Sequence, residues 1–176
     1  NGGACYSFTT PEVPDFFTEQ FDGGFDLAGA THFFIPNGSG DFYAGCVVPI
    51  ELLPTDPAGG TPVSLSDDDG EQISFDDPVY LYGEAYTSFW IGSNGYLTFA
   101  DRDTDFGESL EDHFEQPRIS GLFDDLNPSS GGTVSYQDAG DRFVITYDGV
   151  VTYGTSNPNV FQFELFYDGA IAISYL

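Results

Sequence analysis

Residues 159–175 read NVFQFELFYDGAIAISY. Phe161, Phe163 and Leu165 fall on one side of an extended chain, and Gln162 and Glu164 on the other. A period of two is the mark of a strand with one buried face. Asp168-Gly169 has the backbone freedom that a tight hairpin turn requires, and Ile171, Ile173 and Tyr175 pattern the returning strand. The spacing therefore predicts antiparallel strands over 159–167 and 170–175.

The same signals recur upstream at roughly ten-residue intervals, the rhythm of a β-sandwich. Strands are expected over 31–35, 41–48, 63–65, 72–75, 79–82, 86–91, 96–99, 133–137 and 142–147. Their punctuation is Asn37-Gly38-Ser39-Gly40, Asp67-Asp68-Asp69-Gly70 and Ser93-Asn94-Gly95. Composition agrees: 18 Phe, 11 Tyr and one Trp accompany 22 Gly and 11 Pro, aromatics suiting pleated sheets and Gly and Pro suiting turns. The expected fold class is all-β, an antiparallel β-sandwich with jelly-roll or Ig-like layering. One stretch departs from it. Ser109-Leu110-Glu111-Asp112-His113-Phe114 carries an N-cap residue and an acidic first turn ahead of Pro117, so a short helical crossover is expected near 109–114.

Residues 1–60 are rich in Gly, Pro and aromatics, with Phe16, Phe17, Phe21 and Phe25 broken by Asp22-Gly23-Gly24. They read as a segment packing on, or extending from, a sandwich over 61–176. Pro54-Thr55-Asp56-Pro57-Ala58-Gly59-Gly60 is either the linker between the two or a long surface loop.

Charge narrows the function. Three arginines, Arg102, Arg118 and Arg142, face 29 acids, a net charge of −26. Such a field repels nucleic acid and anionic membranes. Its self-repulsion calls for bound divalent cations, for salt that screens beyond about 10 Å, or for an acidic habitat. No run of residues is long and apolar enough to insert in a bilayer. The two cysteines, Cys5 and Cys46, are either unrelated thiols or one disulfide of an exported protein. A bridge would close a loop of about 40 residues and contribute roughly 4 kcal/mol.

Acidic loops are the candidate metal ligands. Asp101, Asp103 and Asp105, then Glu108 and Asp112, approximate the spacing of an oxygen-donor loop for Ca²⁺, which takes six to eight oxygens. Phe106 stands where such a loop wants Gly, and Asp112 where it wants Glu. Asp124 and Asp125 could complete the set, and 67–69 forms a separate acidic candidate. Catalytic signals are weak: two histidines, His32 and His113, no G-x-S-x-G elbow and no paired metal-binding histidines. Trp90, between Phe89 and Ile91, is expected in the core rather than on a sugar-stacking platform.

Residues 82–99 (YGEAYTSFWIGSNGYLTF), 117–136 (PRISGLFDDLNPSSGGTVSY) and 161–176 (FQFELFYDGAIAISYL) together resemble a nidogen-like extracellular β-sandwich module of large secreted and surface proteins, many of them bacterial. The resemblance spans roughly 60–176. It implies an extracellular or cell-surface location and a binding or structural role without catalysis. The expected function is therefore a non-catalytic structural or adhesive module. Its expected partners are copies of itself, assembling into a filament or matrix through edge strands or the N-terminal segment, or other extracellular proteins. The alternative is a calcium- or glycan-binding accessory domain of a larger secreted hydrolase.

Overall fold

A computed structural model of the chain describes the backbone of residues 4–6, and residues 17–21 and 23–176. The expectations at Phe16 and Asp22 lie outside these residues. In chain order the strands are β1 (Ala4–Tyr6), β2 (Ala30–Pro36), β3 (Tyr43–Pro49), β4 (Thr61–Val63), β5 (Gly70–Leu81), β6 (Glu84–Gly92) and β7 (Tyr96–Thr98). After helix α1 (Leu110–His113) come β8 (Arg118–Ser120), β9 (Leu126–Asn127), β10 (Thr133–Asp138), β11 (Arg142–Thr152), β12 (Pro158–Phe166) and β13 (Ile171–Tyr175).

They form the two layers of the expected sandwich. The larger sheet runs β1-β3-β2-β13-β12-β11-β10-β4, with β9 beside β11, and the smaller runs β5-β6-β7-β8. Every pairing is antiparallel. The alternation at 161–165 sets the core: Phe163 lies opposite Ile145 on one side and Ile173 on the other, and all three are buried. The smaller sheet answers with Phe89, Ile91, Leu97 and Phe99. Phe143 joins the layers, its ring 4.9 Å from Phe75 and 5.6 Å from Phe89. Buried phenols find acceptors across the same gap: the Tyr147 hydroxyl donates to the Gly92 carbonyl at 2.6 Å, as buried tyrosines must.

Local features follow the sequence closely. Ser109 caps α1 in an extended conformation, its hydroxyl accepting from the Asp112 amide. The strands expected over 72–75 and 79–82 are one strand, β5, whose register shifts between Ser74 and Val79. The shift contains Pro78, which has no N–H to offer a ladder. β11 continues past Tyr147 because Gly149, at φ 71°, takes up the irregularity between Asp148 and Val150.

Three features differ from expectation. Gln162 and Glu164, on the face opposite the core, are only 0% and 2% exposed. Residues around Thr55 lie across them: the Thr55 amide donates to Gln162 Oε1 at 3.0 Å and its hydroxyl to Glu164 Oε1 at 2.6 Å. Arg142 Nε lies 3.0 Å from Glu164 Oε1. Of the two readings of 54–60, the surface loop is the one found, and around Thr55 it straps the outer face. Residues 30–49 are likewise integral, since β2 pairs with β13 from Ala30 to Phe34, so sheet structure runs across the division at residue 60. Finally, Trp90 is not in the core. Phe89 and Ile91 are buried there, so alternation turns Trp90 to the outer face, half-buried and opposite Gln72 and Thr98.

β1 pairs with β3 so that Cys5 faces Cys46. Among the described residues no helix is long and apolar enough to cross a membrane.

Candidate functional site

The acidic loops are gathered around one turn. Between β6 and β7, Ser93 and Asn94 are fully buried, although turn residues are normally solvated. Asn94 explains why. Its Nδ2 donates to Asp68 Oδ1 at 3.1 Å and to the Asp105 carbonyl at 3.0 Å, while its Oδ1 accepts from the Leu126 amide at 3.0 Å. One side chain thus holds the β4–β5 turn, the β7–β8 crossover and the segment leading into β9. Ser93 reinforces the first link, its amide donating to the Asp69 carbonyl and its hydroxyl accepting from the Asp69 amide.

This arrangement divides the acids that the sequence grouped together. Asp103 does not point into a loop centre. Its carboxylate is bound by buried Arg118 and accepts from the Asp105 amide at 2.9 Å. Asp101 is exposed and belongs to neither of the carboxylate groups that do form. The first group joins Asp105 and Asp112 with Glu115, and the second joins Asp125 with Asp67 and Asp68, oxygens lying within 4.8 Å of one another in each. Asp124 and Glu108 stand near the second group and add to its negative field. In place of the single loop expected over 101–112 there are two clusters, one within the β7–β8 connection and one that joins Asp125 to the β4–β5 turn. The physical reason is the arginine: a buried guanidinium demands a carboxylate, and Asp103 supplies it.

Electrostatics follow the division. Burial, then the charge of Asp68, pushes the Asp67 carboxyl up. Burial, then Asp68, Asp67 and Asp124, does the same at Asp125. Burial, then Asp103 and Asp112, raises Asp105. Asp69 goes the other way. Burial opposes its charge, but hydrogen bonds from Ser66, Gly70 and Arg102 outweigh that and hold it at about 2. Asp67 Oδ1 is buried without a hydrogen-bond partner.

A histidine also meets a serine. His113 Nδ1 lies 3.0 Å from Ser120 Oγ and its Nε2 lies 3.1 Å from Thr18 Oγ1. Both line a groove of about 1110 Å³, walled by Phe17, Phe34, Tyr43 and Leu122. A serine hydrolase needs that contact and also donors for an oxyanion. The backbone after Ser120 does not provide them, because the amides of Gly121 and Leu122 both donate to the Gly95 carbonyl, at 3.0 and 3.1 Å.

Asn94 and Glu115 were not among the residues expected at the site. Asn94 was legible only as a turn residue, since nothing local reveals that its partners are 26 and 32 positions away.

Fold and site define a β-sandwich module whose charge is concentrated in loops braced by a buried turn. The chain belongs to the NIDO-related family, whose model matches residues 52–176. The family is a nidogen-like type of module. The match begins after β3, so the strands β2 and β3 that widen the larger sheet precede the matched region. Neither a curated protein nor a solved structure matches the chain.

Proposed function

We propose that the chain is a non-catalytic adhesive or structural module acting outside the cell, with Ca²⁺ taken up by its acidic loops. The observation that carries this reading is the group Asp67, Asp68 and Asp125. Their oxygens converge within 4.8 Å, one of them is buried and unpartnered, and two of the carboxyls are pushed up. Carboxylates so placed repel one another, and a hard cation wanting oxygen ligands relieves the repulsion.

Thermal melting tests it. A carboxyl whose pKa is raised by folding favours the folded state when protonated and works against it when ionised. Asp67, Asp105 and Asp125 are such groups. In EDTA the melting temperature should therefore rise as pH falls from neutral through the raised values of these carboxyls. The contribution of Asp69 is lost only as pH falls toward about 2. Millimolar Ca²⁺ at pH 7 should raise the melting temperature by several degrees and flatten that pH dependence. At a hundred times its Kd, a ligand adds about 2.7 kcal/mol. The Asp67→Asn, Asp125→Asn double variant should melt higher in EDTA and ignore Ca²⁺. A Ca²⁺ response equal to that of NaCl at matched ionic strength, or intact in the double variant, removes the calcium reading.

Edge-to-edge polymerisation has less support than attachment to other molecules. β4 contains Pro62, and the free side of β5 carries Asp76, Asp77 and Pro78 at its register shift, devices that oppose strand addition. The described N-terminal residues pack on their own sandwich, Phe17 lying 5.2 Å from Phe34 and Phe25 lying 5.3 Å from Tyr175.

The Cys5–Cys46 bridge belongs to the same proposal, supported by the facing register of β1 and β3. Mass spectrometry of the alkylated chain should show both thiols blocked until reductant is added. Two alkylated cysteines without reductant would exclude the bridge.

A further inference from the structure

Around α1 the chain exposes large apolar side chains at every fourth position: Phe106 is 54% exposed, Leu110 43% and Phe114 48%. The Phe114 amide donates to the Leu110 carbonyl, so these two side chains stand one helical turn apart on the same side. Phe106 is exposed in the non-helical chain that leads to the extended Ser109 cap. The acids Asp105, Glu108, Glu111, Asp112 and Glu115 are interleaved with these three residues in the sequence. The three arginines are all engaged with other carboxylates. Arg102 is paired with Asp69, Arg118 is buried against Asp103, and Arg142 lies beside Glu164.

We infer that this ridge docks a protein segment of the opposite character, apolar side chains flanked by Lys or Arg. Leu110 and Phe114 supply the apolar anchors, in the manner of a helix face laid into a groove, and exposed Phe106 adds apolar surface on the approach to α1. The acids steer the encounter and exclude acidic surfaces. A second copy of this chain does not fit that description, because its three arginines are already committed and it carries no lysine. An anionic membrane does not fit either, since the acids would face like charge. The inference rests on the attachment reading above and names the chemistry of what is attached.

Two synthetic helical peptides of equal positive charge test it, one combining Arg with Leu, the other with Ser in place of Leu. Fluorescence anisotropy is read with the full chain at physiological salt, in EDTA so that the outcome is independent of the calcium reading. Charge alone binds both peptides. The ridge should make the Arg/Leu peptide at least about tenfold tighter. The Phe106→Ser, Leu110→Ser, Phe114→Ser variant should bring the two to within about twofold, and a circular dichroism spectrum matching that of the unaltered chain shows that it remains folded. A Glu108→Gln, Glu111→Gln, Glu115→Gln variant should weaken both peptides and keep their ratio. Equal affinities in the unaltered chain, or a preference that survives in the serine variant, overturns the inference. So does binding of the unaltered chain to zwitterionic vesicles that is lost in the serine variant, which would assign the ridge to lipid.

Discussion

Replacing Arg118 with Ala should lower stability by about 3–5 kcal/mol, the range for stranding one member of a buried ion pair. The arginine side chain is 0% exposed and is bound to a nearly buried Asp103. It also donates to the Asp112 carbonyl at 2.9 Å, and its guanidinium lies 4.5 Å from the Tyr96 ring and 4.8 Å from the Phe123 ring. Truncation leaves a carboxylate without a counterion beneath the β7–β8 crossover and frees α1 from the sheet. For a domain of this size the melting temperature should fall by about 10 °C. Lys in its place should recover part of the loss, because one ammonium cannot reproduce both the carboxylate contact and the stacking. The double variant Arg118→Met, Asp103→Leu should lie far closer to the unaltered protein than either single truncation, since an apolar pair removes the charge and its partner together. Urea denaturation decides the matter. A loss below about 1 kcal/mol would mean that the pair is solvated and contributes as a surface bridge does.

Gly95→Ala should be comparably severe, at about 3–5 kcal/mol, combining left-handed backbone strain with overpacking. Gly95 has φ 81°, and an added Cβ would fall within the radius of the Leu122 carbonyl oxygen and 3.3 Å from the Phe161 ring. Relief requires moving the very segment whose amides donate to the Gly95 carbonyl. Both acidic clusters are tied to this turn, so the calcium response should weaken along with the melt. Asn94→Ala separates the two effects. It adds no bulk, leaves the Leu126 amide without its acceptor, and should cost about 2–3 kcal/mol. Gly24→Ala is the control: its φ is 83°, but nothing lies within 4 Å, so only backbone strain of about 1 kcal/mol is expected. Equal losses at Gly24 and Gly95 would show that close packing around the turn contributes nothing.

Much of this molecule was legible in the order of its residues. The alternation at 161–165, the Asp168-Gly169 turn and the Ser109 cap act over a few positions, and each has the expected local geometry. Family membership was legible for the same reason, since the recognised segments are strands and turns in series. The candidate site was only half legible. Asp105, Asp112 and Asp125 do lie in carboxylate groups, but their companions Glu115, Asp67 and Asp68 were not assigned with them.

Tertiary structure alone decided which faces are wet and which acids meet. A period of two says that Gln162 and Glu164 share a face, not that residues around Thr55 will cover it. It says that Trp90 opposes Phe89 and Ile91, not which side is the core. Asp103 and Asp105 look equivalent in the sequence, yet one neutralises Arg118 and the other is left among like charges. Hydrogen bonding along a strand or turn is set by neighbours in the chain. Solvent exclusion and charge pairing are set by whatever packing brings alongside, and here that comes from segments tens of residues away.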